Sequence, residues 1–430
     1  MNPLPSISVV IATRDRPQLL RECLESITRQ TSLPDEVIVV NDGGSAEAEQ
    51  IVAGFSDALE VRYLWREHGG VGAARNLGNR HARGEWVCIQ DDDDVMCTGR
   101  IAAHRAHIQG SVADVSYGAW INFTSAEGAF ELNPGKTFDE NAFFNAGLML
   151  THGAAAVRRR LAADHPYRED VAAGVDFDFF SRLIGAGARF EHCGEIVLLR
   201  RMDGDRLGVA APHWQVSIRQ EILDAWNAAQ PGDPAERKAR ASVFPYARIR
   251  PSGRHLQQLE HAGIPRPRFL ELPLNRRWAR SAEVLKRVAD LPLPATISDS
   301  GQSATVPVIV DLKGASDRIL NAVFAIVEAA NTRTVWSVRP PVRTDLGFTS
   351  SLPGDTGLTV RLACGTLADG VSALSRIDHG RWLWSLGSTG PLAPVDQPQL
   401  PPDAASAYSR LKDQLRRAGV NASAQICRAA

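Results

Sequence analysis

The chain has 430 residues, 44% of them hydrophobic, and 48 Lys plus Arg against 49 Asp plus Glu. That length and apolar content fit two domains with their own cores, and the balanced charge gives no footprint for nucleic acid or an anionic membrane. None of the six cysteines (Cys23, Cys88, Cys97, Cys193, Cys364, Cys427) is spaced CxxC or sits with a His pair at zinc-finger spacing, so they read as small core residues in a reducing compartment. Met1-Asn2-Pro3-Leu4-Pro5 has no basic stretch or apolar run of a signal peptide, and nothing approaches 18 consecutive apolar residues. The expectation is a cytoplasmic protein without a transmembrane segment, whose association with the inner membrane, if any, is peripheral.

The first ninety residues alternate strand and helix. Ile7 to Ala12 is apolar except for Ser8, as in a strand buried on both faces. Pro17 suits a helix first turn, and Leu19, Leu20, Cys23, Leu24 and Ile27 follow at helical spacing. Glu36 to Val40 reads as a second buried strand, ending at Asn41-Asp42-Gly43-Gly44, and Val61 to Trp65 as a third. His68-Gly69-Gly70-Val71-Gly72 opens a helix predicted to run to about Ala82. A fourth strand, Trp86 to Gln90, runs straight into Asp91-Asp92-Asp93-Asp94. Polar residues thus gather at the carboxyl ends of strands, where open α/β sheets bind ligands. The predicted fold is α/β, a mostly parallel doubly wound sheet with helices on both faces.

Strand-like pieces such as Val115 to Phe123 come next, then a helix from about Asp176 with Phe179, Phe180, Leu183 and Ile184 on one side, then a strand pair over Ala188 to Leu199. The first domain is predicted to span 1–215. A helical connecting region, 216–299, carries helices near Val216 to Ala228 and Ser281 to Ala289, and 296–304 reads as a polar linker. Val308 to Leu312, Arg318 to Ala330 and Thr334 to Val338 make a strand–helix–strand unit. Leu358 to Ala363 and Trp382 to Leu386 add strand candidates, before a Pro-rich stretch from Pro391 to Pro402 and a closing helix over Ala405 to Arg417. The prediction for 300–430 is a second, smaller α/β domain.

Four consecutive aspartates are the strongest chemical feature. Packed like charges repel, and burial raises the cost. Mg²⁺ or Mn²⁺, which prefer carboxylate oxygens, resolves that conflict and can bridge a departing diphosphate. A solvated acidic loop is the commoner fate of a charge run, but this run begins where a buried strand ends.

Four blocks together carry a resemblance. They are Ile7 to Pro17 (ISVVIATRDRP), Glu36 to Gly43 (EVIVVNDG), Gly70 to Gly78 (GVGAARNLG) and Gly84 to Asp94 (GEWVCIQDDDD). In this order and spacing they resemble the family 2 glycosyltransferases of the GT-A fold, over about residues 5 to 210. The resemblance implies an inverting transfer of a sugar from a UDP-, GDP- or dTDP-linked donor to a carbohydrate or glycoconjugate acceptor, assisted by Mg²⁺ or Mn²⁺. It implies nucleotide binding by Thr13, Arg14, Asp15, Asp42, Arg75, Asp91 and Asp92, with Asp42 toward the base and Asp91 toward the ribose. Asn41 stands where the family usually has another Asp. Asp93 is implied as a metal ligand, with Asp92 and Asp94 supporting it.

Gly174-Val175-Asp176-Phe177-Asp178 resembles the family segment that carries the general base, which makes Asp176 the implied base, with Val175 replacing the usual Glu. A carboxylate in the first turn of a helix also stabilises that helix, and one residue can do both. Where many members place a third metal ligand, often His, this chain reads Leu199 to Arg206 without one. Asp203 is the implied substitute, and Arg200, Arg201 and Arg206 are candidates for the diphosphate. His152 is placed near the acceptor pocket or in a structural role, and Trp120, Phe123, Phe143 and Phe144 in the core rather than against a sugar.

Three other readings meet obstacles in the sequence. Gly70-Val71-Gly72 after a strand resembles a dinucleotide fingerprint, but Arg75 occupies the position that wants Gly or Ala. A nucleotidyltransferase would carry a Gly-rich loop after the first strand, and Ala12 to Pro17 contains no glycine. A non-catalytic nucleotide-sugar-binding protein would not need Asp91, Asp93 and Asp176 together.

Overall fold

The computed structural model describes residues 4–125, 130–146, 149–171, 173–202, 212–242, 244–250, 252–275, 280–297, 305–330, 332–338, 348–351, 358–364, 384–385 and 422–428, with the single positions 409, 413 and 417. The chain divides into two compact units, Met1–Pro265 and Arg266–Ala430.

Period-two alternation builds the first unit. Strand β1 (Ile7–Thr13) sends Ile7, Val9 and Ile11 to one face and Val10 to the other. On the first face it meets Leu20, Leu24 and Ile27 of α1 (Pro17–Thr28) and Ile51 and Val52 of α2 (Glu47–Ala53). On the second it meets Ala74 of α3 (Val71–His81). Both faces are covered, as a continuous apolar strand requires. Strands β2 (Glu36–Asp42), β3 (Val61–Arg66) and β4 (Trp86–Asp91) join it in the parallel order β3-β2-β1-β4. Helix α3 lies close to the sheet because residue 78 is glycine: a Cβ there would collide with Val10.

The rest of the unit extends this sheet. After β5 (Val95–Met96) and α4 (Arg100–Gln109), β6 (Val115–Phe123) pairs with β7 (Phe130–Asn133). Beyond α5 (Glu140–Ala146), β8 (Ala155–Arg158) lies antiparallel between β4 and β6. Helices α6 (Arg159–Asp164) and α7 (Val175–Gly185) precede β9 (Phe190–Arg201), which runs parallel to β6. The strand pair expected over Ala188 to Leu199 is therefore one strand, with its pairing to β6 interrupted between Tyr117 and Trp120. Helices α8 (Pro212–Ala229), α9 (Pro234–Ser242) and α10 (Gly253–His261) complete the unit. Its edge at Pro265 lies well beyond the expected 215, since these helices bury residues such as Arg237, Ala241, Leu256 and Leu259.

The second unit contains an antiparallel sheet in the order β11-β12-β10-β13, from β10 (Phe269–Asn275), β11 (Ala295–Ile297), β12 (Thr305–Asp311) and β13 (Thr334–Ser337). Strand β10 falls in the stretch expected to be helical. Its Pro273 weakens the strand pattern, but it sits opposite Pro307 and past the residues that pair with β13, where a missing N–H costs nothing. Helices α11 (Ser281–Ala289) and α12 (Asp317–Ala330) contribute Val284, Val288, Leu320 and Phe324, the last 5.3 Å from the Trp336 ring. A second antiparallel sheet joins β14 (Phe348–Ser351), β15 (Leu358–Cys364), β16 (Trp384–Ser385) and β17 (Ala422–Arg428). The Pro-rich stretch lies outside the described residues, as does most of the expected closing helix. No described helix is long and apolar enough to cross a membrane.

Candidate active site

Strand register brings three chain segments to one edge. Thr13 pairs with Asn41 across β1 and β2, and Ala12 with Asp91 across β1 and β4. The turns after all three strands therefore open side by side.

Asp42, buried at the end of β2, accepts N–H bonds from Gly69 (3.0 Å) and Gly70 (2.9 Å), and its Oδ2 lies 2.8 Å from His68 Nδ1. Arg66 adds an ion pair at 3.4 Å. This carboxylate shapes the 66–70 turn, whose Gly70 has φ +90°. Arg14 Nη1 stands 2.9 Å from His68 Nε2 at the exposed rim. Asp15, with φ +51°, accepts the Ser45 N–H and so ties the β1–α1 turn to the β2–α2 turn. Asn41 Nδ2 donates to the carbonyls of Gly44 and Ser45, and the Gly44 N–H returns to Asn41 Oδ1. An aspartate could not donate there, so the departure from the family residue is a fit to this turn.

The acidic turn follows β4. Asp91 accepts a 2.6 Å ion pair from Arg75. Asp92 takes the Thr13 hydroxyl at 2.7 Å, so Thr13 faces the acidic turn rather than the Asp42 side. Arg16 reaches Asp93 at 3.2 Å and Asp92 at 3.4 Å. Gln90 Nε2 donates to the carbonyls of Asp91 and Asp94, and the fully buried Arg100 holds Gln90 Oε1 at 2.8 Å. Arg201 is spent on structure: its N–H reaches Asp94, its Nε the carbonyl of Asp93, and its guanidinium Glu22, Ser125 and the Phe123 ring. It is not available for a diphosphate, whereas Arg200 lies within electrostatic reach of Asp91 and Asp94.

The charges are unevenly settled. Burial raises the Asp91 carboxyl, but the nearby cations, the Arg75 guanidinium foremost, outweigh it and hold it down at about 2. Burial, then repulsion from Asp93, pushes Asp92 up to about 7, and burial with Asp93 and Asp91 pushes Asp94 well above the carboxylate range. Four carboxyls crowd one turn, the raised Asp92 and Asp94 reflect that crowding, and the oxygen donors suit a hard divalent cation. By that test the residues fit Mg²⁺ or Mn²⁺. Among the described residues no three acidic, His or Cys groups already form a ligand shell, and Asp203 lies outside them. Arg206 lies outside them as well.

Asp176 stands half-buried in the first turn of α7, with Oδ1 accepting the Phe177 N–H at 2.9 Å. It lies within electrostatic reach of Arg75, His152 and Tyr167, which places it on the Asp91 side of the site. Asp178, two residues on, is consumed by Arg182 at 2.8 and 2.9 Å. Trp120, Phe123, Phe143 and Phe144 are all buried, as expected of core aromatics.

Four participants were not singled out from the sequence. Arg16 is one. Asn76 is another: it donates to the Tyr167 carbonyl and to Glu169, and accepts the Tyr167 N–H. Tyr167 and His68 complete the set. The Asn76–Tyr167 contact spans 91 residues, and nothing in a single sequence announces it.

Residues 8–165 match the family model described as Glycosyl transferase family 2. Glycosyltransferase GlyG of Streptococcus pneumoniae is 34% identical over 126 residues, 29% of this chain and 42% of the relative. Glycosyltransferase GlyA of the same organism is 30% identical over 144 residues, 33% of this chain and 21% of the relative. The chain thus spans less than half the length of either. An uncharacterized glycosyltransferase of Methanocaldococcus jannaschii is 27% identical over 206 residues, 46% of this chain and 71% of the relative. Among solved structures, S. aureus TarS 1-349 in complex with UDP-GlcNAc is similar at TM-score 0.44 and 19% identity, covering 55% of this chain and 70% of that one. The mannosyltransferase PcManGT from Pyrobaculum calidifontis in complex with GDP-Man and Mn2+ is similar at TM-score 0.40 and 18% identity, covering 56% and 69%.

Proposed function

We propose that this chain, which carries a family 2 glycosyltransferase domain over residues 8–165, is an inverting glycosyltransferase that uses a nucleotide-diphosphate sugar and a divalent cation. The observation that carries the reading is the largely buried Asp91–Asp94 turn at the carboxyl end of β4, where four carboxyls crowd beside Arg75 and Arg16 and burial with mutual repulsion pushes Asp92 and Asp94 up.

In this reading the nucleotide lies along the turns after β1 and β2, with Arg14, Asp15 and Asp42 around the base and Asp91 toward the ribose. Asp93, and Asp203 beyond the described residues, would hold Mg²⁺ or Mn²⁺ beside Asp92. The bound cation would neutralise charge on the departing diphosphate. Arg75 keeps Asp91 ionised and oriented. Asp176 takes the proton from the acceptor hydroxyl as it attacks the anomeric carbon from the face opposite the leaving group. No ion pair among the described residues occupies Asp176, whereas Arg182 occupies Asp178.

The acceptor is proposed as a carbohydrate or glycoconjugate. Release of nucleoside diphosphate from UDP-, GDP- and dTDP-sugars, with Mn²⁺ or with EDTA, tests the reading. Metal-dependent release from one donor class is expected; no release from any of them in either condition would overturn it.

A further inference from the structure

Arg75, Asp91 and Asp176 come from three separate elements, and two residues with no role so far stand among them. His152 begins a short 3₁₀ turn that packs beside the acidic turn: a Cβ on Gly153 would lie 3.3 Å from Asp94 Oδ2 and 3.6 Å from Asp91 Oδ2. Its Nε2 is 2.9 Å from the Tyr167 hydroxyl, and both side chains are buried. The Tyr167 backbone is clamped by Asn76, the residue next to Arg75. Its ring stacks on Phe179 of α7 with centroids 4.1 Å apart, and the Arg75 guanidinium lies over the ring, 5.6 Å from its centroid. Tyr167 therefore touches both the helix that carries Asp176 and the arginine that holds Asp91.

We propose that Tyr167, held by His152, is the positioning residue that sets Arg75 between Asp91 and Asp176, and so joins the donor half of the site to the base half. The inference rests on the transferase reading. A bond from His152 fixes the phenol plane, and the plane fixes where a guanidinium beside it can rest. His152 serves here as a neutral partner, since burial and Arg75 lower its pKa to about 3. A neutral side chain that bonds the phenol should therefore replace it.

The test compares Tyr167→Phe, His152→Ala and His152→Gln, and the Tyr167→Phe/His152→Ala pair, using the nucleotide sugar that the unaltered protein consumes with Mn²⁺. Melting temperatures establish that each variant is folded. Tyr167→Phe and His152→Ala are expected to lower kcat about 10- to 100-fold while KM for the donor changes less than about threefold, since misplacement acts on the transition state more than on binding. The double variant should be no slower than either single one, because the two groups act as a unit. His152→Gln should recover most of the rate. Unchanged kcat, an effect confined to KM, additive losses, or a Gln variant no better than Ala would each overturn the proposal. If Tyr167→Phe does not fold, the Ala and Gln variants at His152 decide it by the same kcat and rescue criteria. An unaltered protein that consumes no nucleotide sugar would remove the transferase reading itself, and this inference with it, which distinguishes the two failures.

Discussion

Two carboxylates two residues apart on α7 have different fates. Asp178 is locked by Arg182 one turn on, while Asp176 is left half-exposed beside Arg75 and Tyr167. If Asp176 is the base, Asp176→Asn should fold and bind donor normally but transfer about 10²- to 10⁴-fold more slowly. Single-turnover transfer to a known acceptor checks this, and a near-normal rate would remove the assignment. Asp178→Asn should instead lower stability, read as a lower melting temperature, because it breaks a largely buried ion pair. The sequence showed this contrast in part, since an Asp–Arg pair at i, i+4 is visible in any helix. It also showed Asp91 to Asp94, which are contiguous. It did not show Tyr167 or Asn76, whose partners lie 91 residues away and meet only once β8 has been placed beside β4. Nor did it show that Arg201 is already engaged, because a surface-like arginine and a buried strut are written with the same letter.

At the scale of elements, the sheet is tied at the end opposite the site by one carboxylate. Glu36, at the start of β2 and almost fully buried, accepts the Ser8 hydroxyl of β1 (2.6 Å), Arg62 of β3 (2.6 Å) and the Arg83 N–H before β4 (2.6 Å). Burial would raise its pKa, but these donors, the Ser8 hydroxyl foremost, lower it to about 2. A carboxylate whose folded pKa is depressed contributes stability that is complete above its unfolded pKa and is lost as pH falls through the folded one. Glu36 should therefore contribute at most about 3 kcal/mol at neutral pH, fading from about pH 4.5 to about pH 2. Urea unfolding of the unaltered chain and Glu36→Gln at several pH values checks this: the gap between them should narrow as pH falls through that window, and a constant gap would refute it. The strands and helices around this hub were legible because their apolar residues alternate cleanly or recur at helical spacing. Strand β10 was not, because Pro273 breaks the run and only its pairing partners show why it is tolerated.

For the whole molecule, the α/β class with a parallel centre was readable from the strand–helix alternation of the first ninety residues, whereas the unit boundary was not. Helices α8 to α10 are Arg- and Ala-rich and look like a connector, yet they belong to the compact first unit, which ends at Pro265. We propose that the second unit helps bind the acceptor or a partner and performs no chemistry. Among its described residues Asp311, at the end of β12, is held by Arg268 at 3.0 Å. A chain ending at Pro265 should remain folded and release nucleoside diphosphate from its donor at near the full rate, while losing transfer to the physiological acceptor. Full transfer by the shortened chain would contradict that division of labour.

In the proposed mechanism the acidic turn binds a nucleoside diphosphate through a divalent cation. Calorimetric titration of the full chain with UDP, GDP and dTDP, with and without Mn²⁺, tests it most directly when repeated on Asp93→Ala. One diphosphate should bind with Mn²⁺, binding should weaken by at least about 100-fold, or about 2.7 kcal/mol, when the metal is omitted, and Asp93→Ala should abolish the metal-dependent part. Equal affinity with and without metal, or an unchanged metal dependence in Asp93→Ala, would contradict it.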